Sequence, residues 1–209
     1  AYSEKFVLAL SHDVVGIEAD KLLREIPDAV FGMEEKLSNL RLTYAFLMMH
    51  PGKKLFFERK LPQTPDELNL TVLIRDLNAL YRNCPALHRW DDLPSGFEWI
   101  SNIRGEEGIL SFLRKGSRPE DTLLVVANFS GVSGSFSVGV PWEGYYKELL
   151  NTDQPQYGGS GLFLNEVKKT EDRQADGRPV SVTIDLAPLS LAVFQYEPDI
   201  PEREVTDCV

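Results

Sequence analysis

The first 85 residues combine short apolar runs with two long amphipathic segments. The apolar-rich runs at 5–10 and 53–57 are typical of strands that are covered on both faces. The segments at 32–52 and 64–85 carry apolar residues three and four positions apart, which predicts two helices, and the second opens with a Thr-Pro-Asp-Glu capping pattern. Alternating strands and helices are the repeat of a (β/α) barrel, but two strands cannot close one, so this part looks incomplete. The predicted helical stripes comprise Leu37, Leu40, Tyr44, Leu47 and Met48 in the first segment and Leu70, Leu73, Ile74, Leu77 and Leu80 in the second.

From residue 86 onward the pattern changes to that of β-strands. Runs such as "SFSVGV" and "VSVTIDL" alternate apolar with polar or small residues, which is typical of half-buried antiparallel strands. We therefore expect an α+β chain in which 1–85 is barrel-like, 86–197 is an all-β Greek-key sandwich with its own core, and 198–209 is an acidic tail. The seven predicted strands are "GFEWIS", "ILSFLRK", "TLLVVANFS", "GSFSVGV", "YYKELLNT", "PVSVTIDLA" and "LSLAVFQYE".

Composition narrows the classes of function. The 209 residues are 43% hydrophobic and 26% charged, and the net charge of −10 argues against binding to nucleic acid or to an anionic membrane surface. A neutral ligand such as a sugar remains compatible with this charge. Cys84 and Cys208 are too few for a disulfide scaffold, which indicates a reducing, cytoplasmic location. The three histidines have no ligand spacing, so we expect no metal and no cofactor.

The ends and apolar runs of the chain contain no predicted targeting or membrane segment. The opening "AYSEKFVLAL" lacks the basic region and long apolar core of a signal peptide. The run "LTYAFLMM" is too short to span a bilayer.

A polar triplet follows the first predicted strand. Ser11, His12 and Asp13 stand directly after the run at 5–10, at the carboxyl end of a barrel-type strand. This is the face on which (β/α) barrels carry their chemistry. His12 and Asp13 are therefore candidate site residues, although such a triplet can also be a simple turn.

Several stretches together resemble the bacterial 1,4-α-glucan (glycogen) branching enzymes of the α-amylase superfamily. The resemblance implies that 1–85 holds the last two β/α units of a (β/α)8 catalytic barrel and that the remainder is the C-terminal β domain. The matching stretches occur in the family's order and include "FVLALSHD", "NLRLTYAFLMMHPGKKLFF", "RDLNALYRNCPALH", "VGVPWEGYYKELLNTDQPQYGGSG" and "GRPVSVTIDLAPLSLAVF".

The resemblance also implies a reaction. Such enzymes are glycosyltransferases of glycogen synthesis that cleave an α-1,4 linkage and transfer the freed segment to a 6-hydroxyl of an α-glucan, with retention. A carboxylate nucleophile and a carboxylic acid/base perform the double displacement. A third carboxylate, preceded by His, stabilises the transition state, and by resemblance these are Asp13 and the substrate-binding His12.

The chain departs from the family pattern in three ways. The nucleophile and acid/base lie on earlier barrel strands, so no Asp or Glu here corresponds to them. Val14, Val15 and Gly16 follow Asp13 where the family has an acidic residue and a longer turn, and "ERKLPQTPDELNL" replaces a glucan-lining loop. We therefore expect this chain alone to be inactive, with exposed apolar helix faces that favour self-association or a barrel completed by another chain.

The alternative function is a non-enzymatic module that binds glucan or completes a barrel. Aromatic rings on a β-sandwich can stack on sugars, although Trp99 could instead fill the sandwich core and Trp142 could cover a strand end. The "YGGSG" glycines predict a tight loop with positive φ rather than a phosphate site, and His50 is predicted to end a helix. The aromatic candidates are Trp90, Trp99, Trp142, Tyr145, Tyr146 and Tyr157.

Overall fold

The computed structural model describes residues 32–54, 64–101 and 108–198. The predicted strand at 5–10, the Ser-His-Asp triplet, most of the predicted strand at 53–57 and nearly all of the acidic tail lie outside these residues. The two predicted helices are confirmed as α1, Met33–Met49, and α2, Pro65–Asn83.

The ends of both helices follow from local sequence signals. At the start of α2 the Thr64 hydroxyl accepts a hydrogen bond from the Glu67 N–H at 3.2 Å, and the Glu67 carboxylate accepts one from the Thr64 N–H at 3.2 Å. This reciprocal pair satisfies two of the N–H groups that a helix start leaves without partners. The C-cap residue of α1 is His50, directly before Pro51, and that of α2 is Cys84, directly before Pro85. Because proline does not continue a helix, the local sequence predicts where each helix ends.

All seven strands predicted after residue 86 are present. One further strand, β6, escaped prediction because it has only three residues and shows no apolar alternation. The strands are β1 Phe97–Ser101, β2 Ile109–Arg114, β3 Leu123–Asn128, β4 Gly134–Val140, β5 Tyr145–Asn151, β6 Val167–Lys169, β7 Val180–Leu186 and β8 Ser190–Glu197.

The described strands form two antiparallel sheets. The larger sheet has the order β1-β2-β3-β8-β5-β6, and the smaller one pairs β4 with β7. The chain crosses between the sheets at β4 and again at β7. Residues from both sheets share one apolar core, so the part of the chain after residue 86 is a β-sandwich, as the pattern predicts.

A second apolar core lies on the other face of the larger sheet. Strand β3 is buried along its whole length: Leu124 and Val126 point toward β4 and β7, while Leu123 and Val125 point toward α1 and α2. A strand with both faces covered has no polar face, which explains the unbroken apolar run in this part of the sequence.

The helices therefore share a core with the sheet. Leu70, Leu73 and Leu77 of α2 are at most 4% exposed. The expectation that these helix faces would be exposed is wrong for α1 and α2, and the sandwich core is not the only core of the β region. The larger sheet provides the apolar surface in whose core these helix faces are buried, a partner that the pattern of residues 1–85 does not indicate.

Candidate functional site

The predicted catalytic Asp13 and the predicted substrate-binding His12 lie outside the described residues. The aromatic candidates divide by exposure. Trp99 is 38% exposed, whereas Tyr146 and Tyr157 are buried. Trp90, Trp142 and Tyr145 are half-buried.

The structural predictions for Trp142 and Trp99 have different outcomes. The Trp142 ring lies 5.2 Å from the Tyr196 ring at the border of the sandwich core, which fits a covering role at a strand end. Trp99 does not fill the sandwich core. Its side chain lies on the helix-facing side of β1, beside Phe97 and Phe112.

Six rings form a continuous cluster between β1, β2 and the end of α1, which we name the aromatic surface. The Trp99 ring lies 5.0 Å from Phe97, edge to face, and 5.5 Å from the fully buried Phe112. Phe129, 40% exposed, lies 5.4 Å from Phe46. Trp99 and Phe129 are thus two exposed rings that contact half-buried and buried aromatic neighbours. The members are Phe46, His50, Phe97, Trp99, Phe112 and Phe129.

His50 belongs to this cluster as a neutral ring. Its ring lies 5.6 Å from Phe97 and 6.2 Å from Trp99. Burial lowers the pKa of His50 below its ordinary value, and the nearby Lys54 and Arg114 charges act in the same direction. His50 is the C-cap residue of α1, which agrees with its predicted place at the helix end, and its ring packs among the aromatic rings of this cluster.

A buried ionic network holds the end of α1 beneath the aromatic surface. Arg114, fully buried on β2, donates to the Met49 carbonyl at 2.7 Å, to the Leu87 carbonyl at 3.1 Å and to the Asp91 carboxylate. Lys54 donates to the His50 and Gly52 carbonyls at 2.6 Å each. Both cations thus satisfy carbonyls at or just beyond the helix end, which is the favourable end for positive charge.

The same burial affects the titration of the network. Burial lowers the pKa of Lys54 to about 8, and Asp91 opposes this shift. No local sequence pattern indicates the network, because Met49 and Arg114 are 65 positions apart.

The "YGGSG" segment forms the predicted tight loop. Gly158 and Gly161 have φ values of 81° and 72°, and a Cβ on Gly159 would lie 2.2 Å from the Asp153 carbonyl. The Asp153 carboxylate accepts hydrogen bonds from the Ser160 N–H and hydroxyl, both at 2.8 Å. Glycine is needed here for backbone conformation and close approach, as predicted.

The described residues contain no group of three or more His, Cys, Asp or Glu side chains placed to hold a metal ion. Likewise, no helix within the described ranges has the length and apolar character needed to cross a bilayer.

Comparison with known proteins defines the class to which the β region belongs. Residues 99–197 match the family model described as "Alpha amylase, C-terminal all-beta domain". The β-sandwich is therefore of the α-amylase C-terminal type.

Named relatives extend the similarity to almost the whole chain. Each is a 1,4-alpha-glucan branching enzyme GlgB: that of Rubrobacter xylanophilus is 39% identical over 95% of this chain, that of Aquifex aeolicus 35% over 94%, and that of Paramagnetospirillum magneticum 37% over 94%. The chain spans 29%, 34% and 29% of the lengths of these relatives. The predicted resemblance is confirmed: the chain is related to the C-terminal region of the 1,4-α-glucan branching enzymes.

Proposed function

We propose that this chain acts as the C-terminal region of a glycogen branching enzyme, which transfers an α-1,4-glucan segment to a 6-hydroxyl. The observation that carries the proposal is the similarity of 35–39% over 94–95% of the chain to enzymes named for this activity. In this proposal residues 1–85 contribute the last two β/α units of the catalytic barrel, and the reaction takes place in the cytoplasm.

Within the whole enzyme, Asp13 stabilises the oxocarbenium-like transition state and His12 binds sugar hydroxyls. Retaining transfer also needs a nucleophile and an acid/base, to which no residue of this chain corresponds by resemblance. We expect a polypeptide of these 209 residues to leave amylose unbranched. Iodine staining of treated amylose checks this, and a loss of colour beyond that of a heat-inactivated sample would contradict it.

We further propose that the aromatic surface contacts α-glucan. The C–H face of a pyranose stacks on an exposed aromatic ring, and this costs little entropy when the ring is already held in place. Trp99 meets both conditions because it is 38% exposed and rests on Phe97 and Phe112. The ligand is neutral, which is compatible with a chain of net charge −10.

Trp99→Ala should weaken binding to glycogen about tenfold, which corresponds to about 1.4 kcal/mol of lost stacking. Migration in native gels that contain increasing glycogen measures the affinity. Trp99→Phe should restore part of the affinity because a ring remains at this position.

Trp142→Ala is the matched control, because Trp142 packs on Tyr196 at the sandwich border and does not belong to the aromatic surface. Equal retardation of wild type and Trp99→Ala, with unchanged thermal midpoints, would contradict this contact.

Glycogen binding without branching activity would fit both the proposed role and the alternative of a non-enzymatic module. Activity restored by adding a chain with the earlier barrel strands would favour the enzyme.

A further inference from the structure

A groove lies beside α2, on the helix-covered side of the larger sheet. It encloses about 880 Å³, within the usual range for small-molecule pockets. Its floor is apolar and consists of Leu80 from α2, Leu123 from β3, and Leu149 and Leu150 from β5. The aromatic surface contributes no residue to this lining.

The rim of the groove is polar, with little net charge. Asp76 pairs with Arg75 at 2.8 Å and accepts a hydrogen bond from the Tyr157 hydroxyl at 3.0 Å. Asp121, also on the rim, pairs with Arg118 at 2.9 Å. Each carboxylate therefore has an arginine beside it, and the rim favours neither an anion nor a cation.

Amide side chains complete the rim. Asn83 and Gln156 both line the groove and are exposed, one at the end of α2 and the other in the turn after β5. The Gln156 amide donates to the Gln154 amide oxygen at 3.2 Å, so the two glutamines form a small polar array. Amides supply both donors and acceptors, as hydroxyl-bearing ligands require.

An apolar floor with a charge-balanced, amide-bearing rim suits a pyranose, which has C–H faces and a hydroxyl edge. A lipid chain would form no hydrogen bonds with the rim amides, and an anion would meet no cationic side chain among the lining residues. We propose that this groove is a second α-glucan binding site, which holds a short stretch of glucan separately from the aromatic surface. The identity of the ligand as α-glucan rests on the proposed function.

Cys84 makes the groove testable in the chain as it exists. Its thiol lines the groove and is half-buried. In a Cys208→Ser background, alkylation of Cys84 reports occupancy. Maltotetraose should slow this alkylation about tenfold at about ten times its Kd. Cellotetraose, which has the same length and β linkages, should protect much less.

Variants separate the groove from the aromatic surface. Asn83→Ala together with Gln156→Ala should abolish protection by maltotetraose while leaving thermal stability unchanged, because both side chains are exposed. Trp99→Ala should leave protection intact.

The possible failures are distinguishable. Glycogen retention through Trp99 with no protection of Cys84 would overturn the groove site and leave the proposed function standing. Absence of both retention and protection would overturn both. Equal protection by cellotetraose, or a thiol that is unreactive without sugar because another segment fills the groove, would also overturn the proposal.

Discussion

Arg114→Met should lower the free energy of unfolding by about 3–5 kcal/mol, the usual cost of removing one partner of a buried ion pair. The guanidinium is fully buried and donates to the carbonyls of Met49 and Leu87 as well as to Asp91. Its loss deprives two carbonyls and the Asp91 carboxylate of this donor in a place that water reaches poorly. Asp91 then keeps the Gly52 N–H at 3.2 Å and the Lys54 ammonium at 3.9 Å. Chemical denaturation followed by tryptophan fluorescence measures the change.

Companion variants identify the cause. Arg114→Lys keeps the charge but loses the planar fork, so it should fall between wild type and Arg114→Met. Asp91→Asn added to Arg114→Met should recover part of the loss, because the carboxylate that retains only the longer Lys54 pair at 3.9 Å becomes a neutral amide. The amide oxygen can still accept from the Gly52 N–H.

Arg118→Met is the control, because Arg118 pairs with Asp121 on the surface. This substitution should leave the midpoint of chemical denaturation unchanged. A similar small effect of both substitutions would show that the buried network contributes little.

Leu73→Ala should lower the free energy of unfolding by about 2–5 kcal/mol, since Leu73 is fully buried in the apolar core that the helices share with the larger sheet. All three tryptophans, at positions 90, 99 and 142, lie outside α1 and α2. The fluorescence of Trp90 and Trp142 therefore reports on the β region, and that of Trp99 also on its contact with His50 at the end of α1. Far-ultraviolet circular dichroism reports on the helices as well. Because helices and sheet share one core, both signals should shift together to lower denaturant.

Leu68→Ala on the same helix is the matched control, since Leu68 is 52% exposed and should have little effect. An unchanged tryptophan transition with earlier loss of helical signal would mean that the helices unfold by themselves. That outcome would support the original expectation of an incomplete unit in 1–85 and contradict the shared core.

The aromatic surface could be predicted from the sequence only in part. Trp99 was one of six aromatic candidates, and its place in an alternating strand equally suited a buried core position. Which side of β1 is open depends on how far the end of α1 covers the sheet, and no local pattern records that. Phe129 and His50 were missed as members because their partners come from other elements.

The sequence by itself determined where α1, α2 and seven of the eight described strands lie, because capping residues, prolines and the periods of apolar residues act locally. It also determined the relationship to the branching enzymes. Only the tertiary structure decided that the helices cover the sheet, that Arg114 ties β2 to the end of α1, and that a groove lies beside α2. Apolar residues that recur at every second position predict which residues share a face of a strand. The element that packs on each face is set by contacts between residues that are distant along the chain.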